Sequence, residues 1–352
     1  MNITREMLFD DQAFFASCHA STVLPLKDGT VLAAYFAGSY ESADDVAIWL
    51  SRKVDGIWQD PVKVAKVYDD VAHWNPVLMP IPGGARLVFK VGKVIPQWKS
   101  WTMTTQDGGL TWSEPVPYPA AYDDRGPVRN KPLILSDGSM LAPDSVETTE
   151  EWRPRIDFSC DYGESFPTSS WIPLNAEVHE GDPVDPASTN MTRPDMPDYI
   201  TGKGAIQPTL WTSGPGKIHA LLRTSAGYIY RSDSTDFGRT WCTAYSTGLP
   251  NNNSGIDLAK LDGALYLVMN PVSGNWADRT PLVIMKSTDN GASFKPYCTL
   301  EDMQMDPNIP EPKKNRRYSA EFSYPAIVAA GGKLHVTYTY LRRQIAYREI
   351  TP

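Results

Sequence analysis

Apolar residues in this chain gather in short runs, not in long periodic stretches. VLAAYF (31–36), ARLVFKV (85–91), KIHALLR (217–223), ALYLVMN (264–270) and KLHVTYTY (333–340) are strand-length and rich in β-branched and aromatic side chains. Gly, Asp and Pro turns separate them. No long segment carries a 3.6-residue apolar period, so helices are not expected to build the core. Many short strands at even spacing predict an all-β sandwich, barrel or propeller.

An internal repeat narrows that choice. The pattern Ser/Thr-x-Asp-x-Gly-x-Thr/Ser-aromatic occurs four times: Thr105 to Trp112, Ser159 to Phe166, Ser234 to Trp241 and Ser287 to Phe294. A degenerate copy is read at Ser51 to Trp58. In each full copy the aspartate (Asp107, Asp161, Asp236, Asp289) is expected to accept backbone N–H bonds inside a hairpin turn. The glycine permits positive φ, and the aromatic ring plugs a hydrophobic core. These aspartates are therefore structural, and none is expected to be catalytic.

This motif is the Asp-box, or BNR, repeat, and the chain resembles the sialidase (neuraminidase) superfamily. The resemblance implies a six-bladed β-propeller with Asp-box hairpins. Six innermost strands are expected at Cys18–Thr22, His73–Val77, Val128–Pro132, Ile206–Thr209, Asn253–Asp257 and Phe322–Ala326. Spread over six blades, 352 residues give about 59 each, close to the repeat spacing. A single domain covering 1–352 is expected, with loop insertions at about 173–204 and 301–320. These two Pro-rich stretches read as surface excursions, or as a lid or oligomer contact over the propeller mouth.

Composition excludes some partners. The net charge of −8 argues against nucleic acid, whose phosphates need a broad basic face. No apolar run is long enough to span a bilayer. The opening MNITREMLFDDQ lacks a charged-then-apolar leader pattern, so a cytoplasmic protein is expected. Four scattered cysteines predict reduced thiols, and five histidines without metal-ligand spacing predict no metal and no cofactor. The subunit count stays open.

In a propeller the inner strands converge on one axis, so their polar residues share a cavity. His19, His73, Asn75, Arg129, Asn130, Lys131, Gln207, Asn252, Asn253 and Tyr324 lie on them. So many polar groups are costly in a dry core, and a wet, ligand-binding funnel accounts for them better.

Sialidases grip a substrate carboxylate with three arginines, and the resemblance assigns the second to Arg223 in Arg-Thr-Ser-Ala-Gly and the third to Arg279. It assigns the nucleophilic tyrosine to Tyr324 and the acid/base aspartate to Asp44 or Asp45. Two positions depart from the family pattern. His19 stands where the first arginine belongs, and Gln207 stands where a glutamate normally activates the tyrosine. A neutral amide cannot take a proton from a phenol, which argues against covalent tyrosine catalysis of the usual sialidase type.

The substituted set still suits an acidic oligosaccharide or glycoside. In a β-elimination on a uronide, Arg223 and Arg279 would neutralise the carboxylate, with Arg129, Lys131, Asn75, Asn253 and Gln207 lining the site. His19, or else His73, would abstract the C5 proton, and Tyr324 would serve the leaving oxygen. The alternatives are exo-glycoside hydrolysis, with Asp44 or Asp45 as acid, and a non-catalytic glycan-binding propeller. Trp74, Trp98, Trp101, Trp211 and Trp276 are candidates for stacking on sugar faces. Lys131 and Arg129 could instead pair with Glu147.

Overall fold

The computed structural model describes residues 2–148, 150–179, 203–303 and 320–352. Most of the two Pro-rich insertions lies outside these residues. The described strands form six antiparallel sheets, each a blade of a six-bladed propeller. The blades begin at the axis with Ser17–Pro25, His73–Ile81, Leu133–Ile134, Ala205–Gly214, Asp257–Leu261 and Phe322–Ala330. Each then runs outward strand by strand. Blade 6 borrows its outer strand from the start of the chain, Asn2–Met7 pairing with Gln344–Thr351 from Asn2↔Thr351 to Met7↔Ala346. The ring is thus closed by hydrogen bonds between the two ends of the described chain.

Second strands are packed by neighbouring blades on both faces, which is why they read as unbroken apolar runs. Val31–Gly38 is buried along nearly its whole length. The interfaces between blades are the core: Leu32, Ile48 and Leu50 of blade 1 pack with Leu78, Leu87 and Met103 of blade 2.

All four Asp-boxes form as expected. In the first, Asp107 accepts the Thr111 N–H (2.9 Å) and hydroxyl (2.6 Å), and Thr105 Oγ1 accepts the Gly109 N–H (3.0 Å). The Thr111 and Thr240 hydroxyl bonds hold the Asp107 and Asp236 carboxyls at about 2. The box also latches one blade to the one before it. A Cβ on Gly238 would stand 2.5 Å from Leu141 of blade 3. A Cβ on Gly291 would stand 3.0 Å from Trp211 of blade 4.

Three expectations change. Ser51 to Trp58 is not an Asp-box. Asp55 (φ 50°) and Gly56 (φ 82°) make a two-residue turn of the I′ kind between Ala47–Val54 and Ile57–Trp58. Residues 128–132 are not a regular strand, although Val128 N–H bonds to Pro143 O at 2.9 Å. Residues 253–256 are irregular too, because Asn side chains take over the backbone pairing. Asn251 Oδ1 accepts Thr224 N–H (3.0 Å), and Asn252 Oδ1 accepts Ser254 N–H (3.1 Å).

Each blade places one axial residue in the left-handed region: Ala20 (φ 54°), Asn75 (41°), Arg129 (70°), Gln207 (53°), Asn253 (56°) and Tyr324 (50°). In blades 1, 2, 4 and 6 this coincides with a register shift between the first and second strands. Such bulges re-aim a side chain. None of the six is glycine, so each costs on the order of 1 kcal/mol of backbone strain.

Candidate active site

Tyr324 is the meeting point of the blades. The His19 ring lies against it with centroids 4.1 Å apart. The guanidinium carbons of Arg129, Arg223 and Arg279 sit 5.3, 5.4 and 5.3 Å from its ring centre. Blades 1, 3, 4 and 5 thus each deliver one nitrogen-bearing side chain to a tyrosine of blade 6.

Arg223 ends the second strand of blade 4 and is buried. It donates from Nε to Asn253 Oδ1 (3.1 Å), and from Nη1 to Gln207 Oε1 (3.1 Å) and the Tyr324 hydroxyl oxygen (2.7 Å). Arg129 is also buried. It donates to Asn130 Oδ1 (3.1 Å) and to the Pro325 carbonyl, while its Nε has no partner. Burial pushes its pKa down to about 10. Among the described residues neither arginine has a carboxylate within ion-pair distance. Arg279 differs, because Nη1 pairs with Glu321 Oε1 at 2.6 Å. Glu321 also accepts Arg342 Nε (2.9 Å) and Ser323 Oγ (2.7 Å), and Arg342 reaches on to Glu41. Burial opposes ionisation of Glu321, but Arg342 and Arg279 outweigh it and hold the carboxyl well below its usual range. The uncompensated positive charge at the axis therefore comes from Arg129 and Arg223.

A second carboxyl stands one amide away. Glu147 Oε1 accepts Ser145 Oγ (2.7 Å) and Gln207 Nε2 (3.3 Å), which turns the Gln207 carbonyl toward Arg223. Burial raises the Glu147 carboxyl above its ordinary pKa. Glu147, Gln207, Arg223 and Tyr324 form one connected chain.

His19 is buried, with Nδ1 2.8 Å from Thr339 Oγ1 and Nε2 without a hydrogen-bond partner. Burial, then the Arg342 charge, push its pKa well below the usual value, so the ring is neutral. In the tautomer that donates Nδ1–H to Thr339, a lone pair is left on Nε2.

The remaining sequence candidates fall into two groups. Asn253 buttresses Arg223 and donates Nδ2 to Asn275 Oδ1 (2.7 Å). Asn75 is buried at its axial bulge. Asn130 ties blade 3 to blade 4 through the Gln207 and Pro208 carbonyls (2.9 and 3.0 Å). Lys131 pairs with Asp257 (2.8 Å) instead of Glu147. His73 is held away from the cluster: Nε2 accepts the Val67 N–H (2.8 Å) and Nδ1 donates to Val71 O (2.9 Å). Asp44 and Asp45 are exposed between the second and third strands of blade 1. Asp45 caps that turn through Ser39 N (3.0 Å) and Oγ (2.6 Å). Trp74, Trp98 and Trp211 are buried core residues. Trp276 lies near Arg279 (6.0 Å) and packs edge-on with Trp152, which itself faces Arg223 (5.7 Å).

Sequence reasoning missed Glu321, Arg342 and Trp152, and it assigned Glu147 to other partners. Glu321 carries a faint signal, three residues before Tyr324 and just ahead of its axial strand. Among the described residues no group of three His, Cys, Asp or Glu side chains is placed to hold a metal ion.

The architecture is that of the sialidase-type propellers. The chain belongs to the BNR repeat-like domain family, which matches residues 29–336. A search of curated proteins finds no match. Among solved structures, a protein of unknown function from Dyadobacter fermentans is 12% identical with a TM-score of 0.68, over 99% of this chain and 98% of that one. Trypanosoma rangeli sialidase, in complex with the inhibitor DANA, is 13% identical with a TM-score of 0.68. The match covers 99% of this chain but 59% of that one, so this chain spans well under two thirds of it. NanB sialidase from Streptococcus pneumoniae is 13% identical with a TM-score of 0.66, over 98% and 70%. At these identities the likeness is one of fold.

Proposed function

We propose that this protein cleaves a glycosidic bond at a carboxylated sugar, by β-elimination on a uronide whose O4 carries the leaving sugar. The observation that carries this reading is Arg223: buried, without a carboxylate partner among the described residues, and 2.7 Å from the Tyr324 hydroxyl. A guanidinium so placed gains most from an incoming carboxylate, which it can grip with paired donors. Arg129, against the same ring, reinforces the preference for an anion.

The protonation states favour elimination. No carboxylate touches the Tyr324 hydroxyl among the described residues, and in the proposed step the phenol takes the part of acid. The neutral His19 offers a lone pair on Nε2. In the proposed step the C5 proton passes to Nε2, the C4–O bond breaks, and the leaving oxygen takes the Tyr324 proton as the C4–C5 double bond forms. Arg223 and Arg279 stabilise the enolate-like charge on the carboxylate. Because Nε2 is sealed from solvent, the sugar must displace the tyrosine ring that now lies over the imidazole.

Hydrolysis is the second reading. It is supported by the sialidase-type fold and by the Arg223 bond to Tyr324, which suits a phenolate nucleophile. A panel of 4-O-glycosylated uronides, terminal uronides and sialosides, read by mid-ultraviolet absorbance and mass, separates the two. An unsaturated uronate appears only on elimination, and a hydrated sugar only on hydrolysis. Neutral glycosides turned over as fast as acidic ones would refute both. A glycan that raises Tm without any product would instead mark a binding propeller.

A further inference from the structure

Blade 4 carries a second constellation at the far end of its strands. Ser213 lies six residues beyond Gln207 on Ala205–Gly214, so at a rise of about 3.3 Å per residue it stands roughly 20 Å from the axial site. His219 pairs across the hairpin with Trp211 on one side and with Asp233 on the other. Ser213 Oγ is 2.7 Å from His219 Nε2, and His219 Nδ1 is 2.5 Å from Asp233 Oδ1. Ser213 is exposed, whereas His219 is nearly buried and stacked on Trp211 with ring centres 5.0 Å apart.

We infer that Ser213, His219 and Asp233 form a serine-nucleophile site for carboxylic esters. The nucleophile touches its base, and the base is oriented by a fixed acid, as that chemistry requires. Asp233 also accepts Arg231 Nε (2.9 Å) and the Tyr245 hydroxyl (2.7 Å). Burial alone would raise its pKa, but the bonds from His219, Tyr245 and Arg231 prevail and hold it at about 2. An ionised Asp233 takes the proton on Nδ1, which leaves the Nε2 lone pair facing the Ser213 hydroxyl.

A side-chain amide, which the proposal assigns to the developing oxyanion, stands beside the base. Asn290 is exposed on the blade 5 Asp-box, and its Oδ1 accepts Trp211 Nε1 at 2.9 Å. That bond turns Nδ2 toward the site, 3.2 Å from His219 Nε2. A side-chain amide beside a serine nucleophile can stabilise a tetrahedral intermediate.

The step balances with water as co-substrate. Ser213 Oγ attacks the acyl carbon while its proton passes to Nε2. The ester C–O bond breaks, and the leaving oxygen takes that proton. Water then attacks the acyl-serine, gives a proton to Nε2 and releases the acid, and Ser213 recovers the proton. Arg231 Nη2 lies 3.1 Å from Nδ1, so its charge opposes the imidazolium, and rates below those of dedicated esterases are expected.

The test uses the full chain with 4-nitrophenyl acetate and, separately, a fluorophosphonate probe, followed by peptide mapping. The expected result is a burst of 4-nitrophenolate and a covalent adduct on the peptide containing Ser213. Ser213→Ala should lose both, Asn290→Ala should slow acylation by about 10²-fold, and Asp233→Asn should slow it at least about tenfold by reversing the donor at Nδ1. No adduct on Ser213 in the wild-type protein, or an equal burst in Ser213→Ala, overturns the assignment. Neither readout involves an acidic glycoside, so failure here and failure of the axial reading are told apart.

Discussion

Replacing Arg223 by methionine separates the work of its charge from its packing. The side chain makes three hydrogen bonds, to Asn253, Gln207 and the Tyr324 hydroxyl. The first two position it, while in the proposed reaction the third and the grip on a substrate carboxylate act on the sugar. A hydrogen bond with a charged donor contributes about 1.5–3 kcal/mol. Losing those two contacts should cost about 3–6 kcal/mol, or roughly 10²- to 10⁴-fold in kcat/KM. Stability should move far less, because two effects oppose. Methionine leaves the Gln207 and Asn253 carbonyls without a donor, at about 1–3 kcal/mol each. It also removes a buried cation that lacks a carboxylate among the described residues, which relieves a desolvation cost of several kcal/mol. The assay is steady-state cleavage of the best 4-O-glycosylated uronide or sialoside, with Tm measured in parallel. Arg223→Lys should fall between, with KM raised and kcat lowered, since a point charge replaces a fork. If Arg223→Met keeps kcat/KM within threefold of wild type, the residue does not hold the reacting carboxylate.

Tyr324→Phe should abolish turnover yet still show a rise in Tm with acidic sugar; retained turnover would remove the phenol from the chemistry. Gly238→Ala should destabilise by about 2 kcal/mol, since φ is +81° and the new Cβ meets Leu141 at 2.5 Å. A denaturant midpoint unchanged by that substitution would refute the inter-blade latch. His73 is held at about 4, by burial first and the Lys66 charge second. Its native pKa is thus below the unfolded value near 6.5, so the unfolded chain binds the proton first as pH falls. Stability should be full above about 6.5 and decline by about 3 kcal/mol toward pH 4. A His73→Gln variant with an equally steep decline in that window would show that another group is responsible.

The parts of the fold legible in the sequence were those written in local chemistry. An Asp-box announces itself because its turn bonds lie within eight residues, and four copies declare a propeller. Ser51 to Trp58 was misread because Asp55-Gly56 satisfies a simpler hairpin. At the axis, Arg223, Arg279 and Tyr324 were legible through family resemblance. Glu321 and Arg342 look like ordinary charges until the blade 6 hairpin pairs them and blade 1 sets His19 beside Glu321. Lys131 and Glu147 show the same limit, since their partners, Asp257 and Gln207, are set by how blades abut. Ser213 and Asp233 lie on different strands, so nothing along the chain pairs them.

The position of each carboxylate, more than the count of arginines, decides which ligand the axis favours. Glu321 neutralises Arg279, and Glu147 is kept one amide away from Arg223. Two buried guanidiniums are left uncompensated, and a neutral sugar would leave them so. A carboxylate about 4 Å from one of them gains roughly 4 kcal/mol at the effective dielectric of a partly enclosed site. That is close to a thousandfold preference for an acidic sugar over its neutral counterpart. Had Gln207 been a glutamate, its charge would have offset Arg223 and eroded that preference while equipping Tyr324 with a base. The glutamine at this position thus trades phenol activation for anion affinity, the direction that the proposed elimination on a uronide requires.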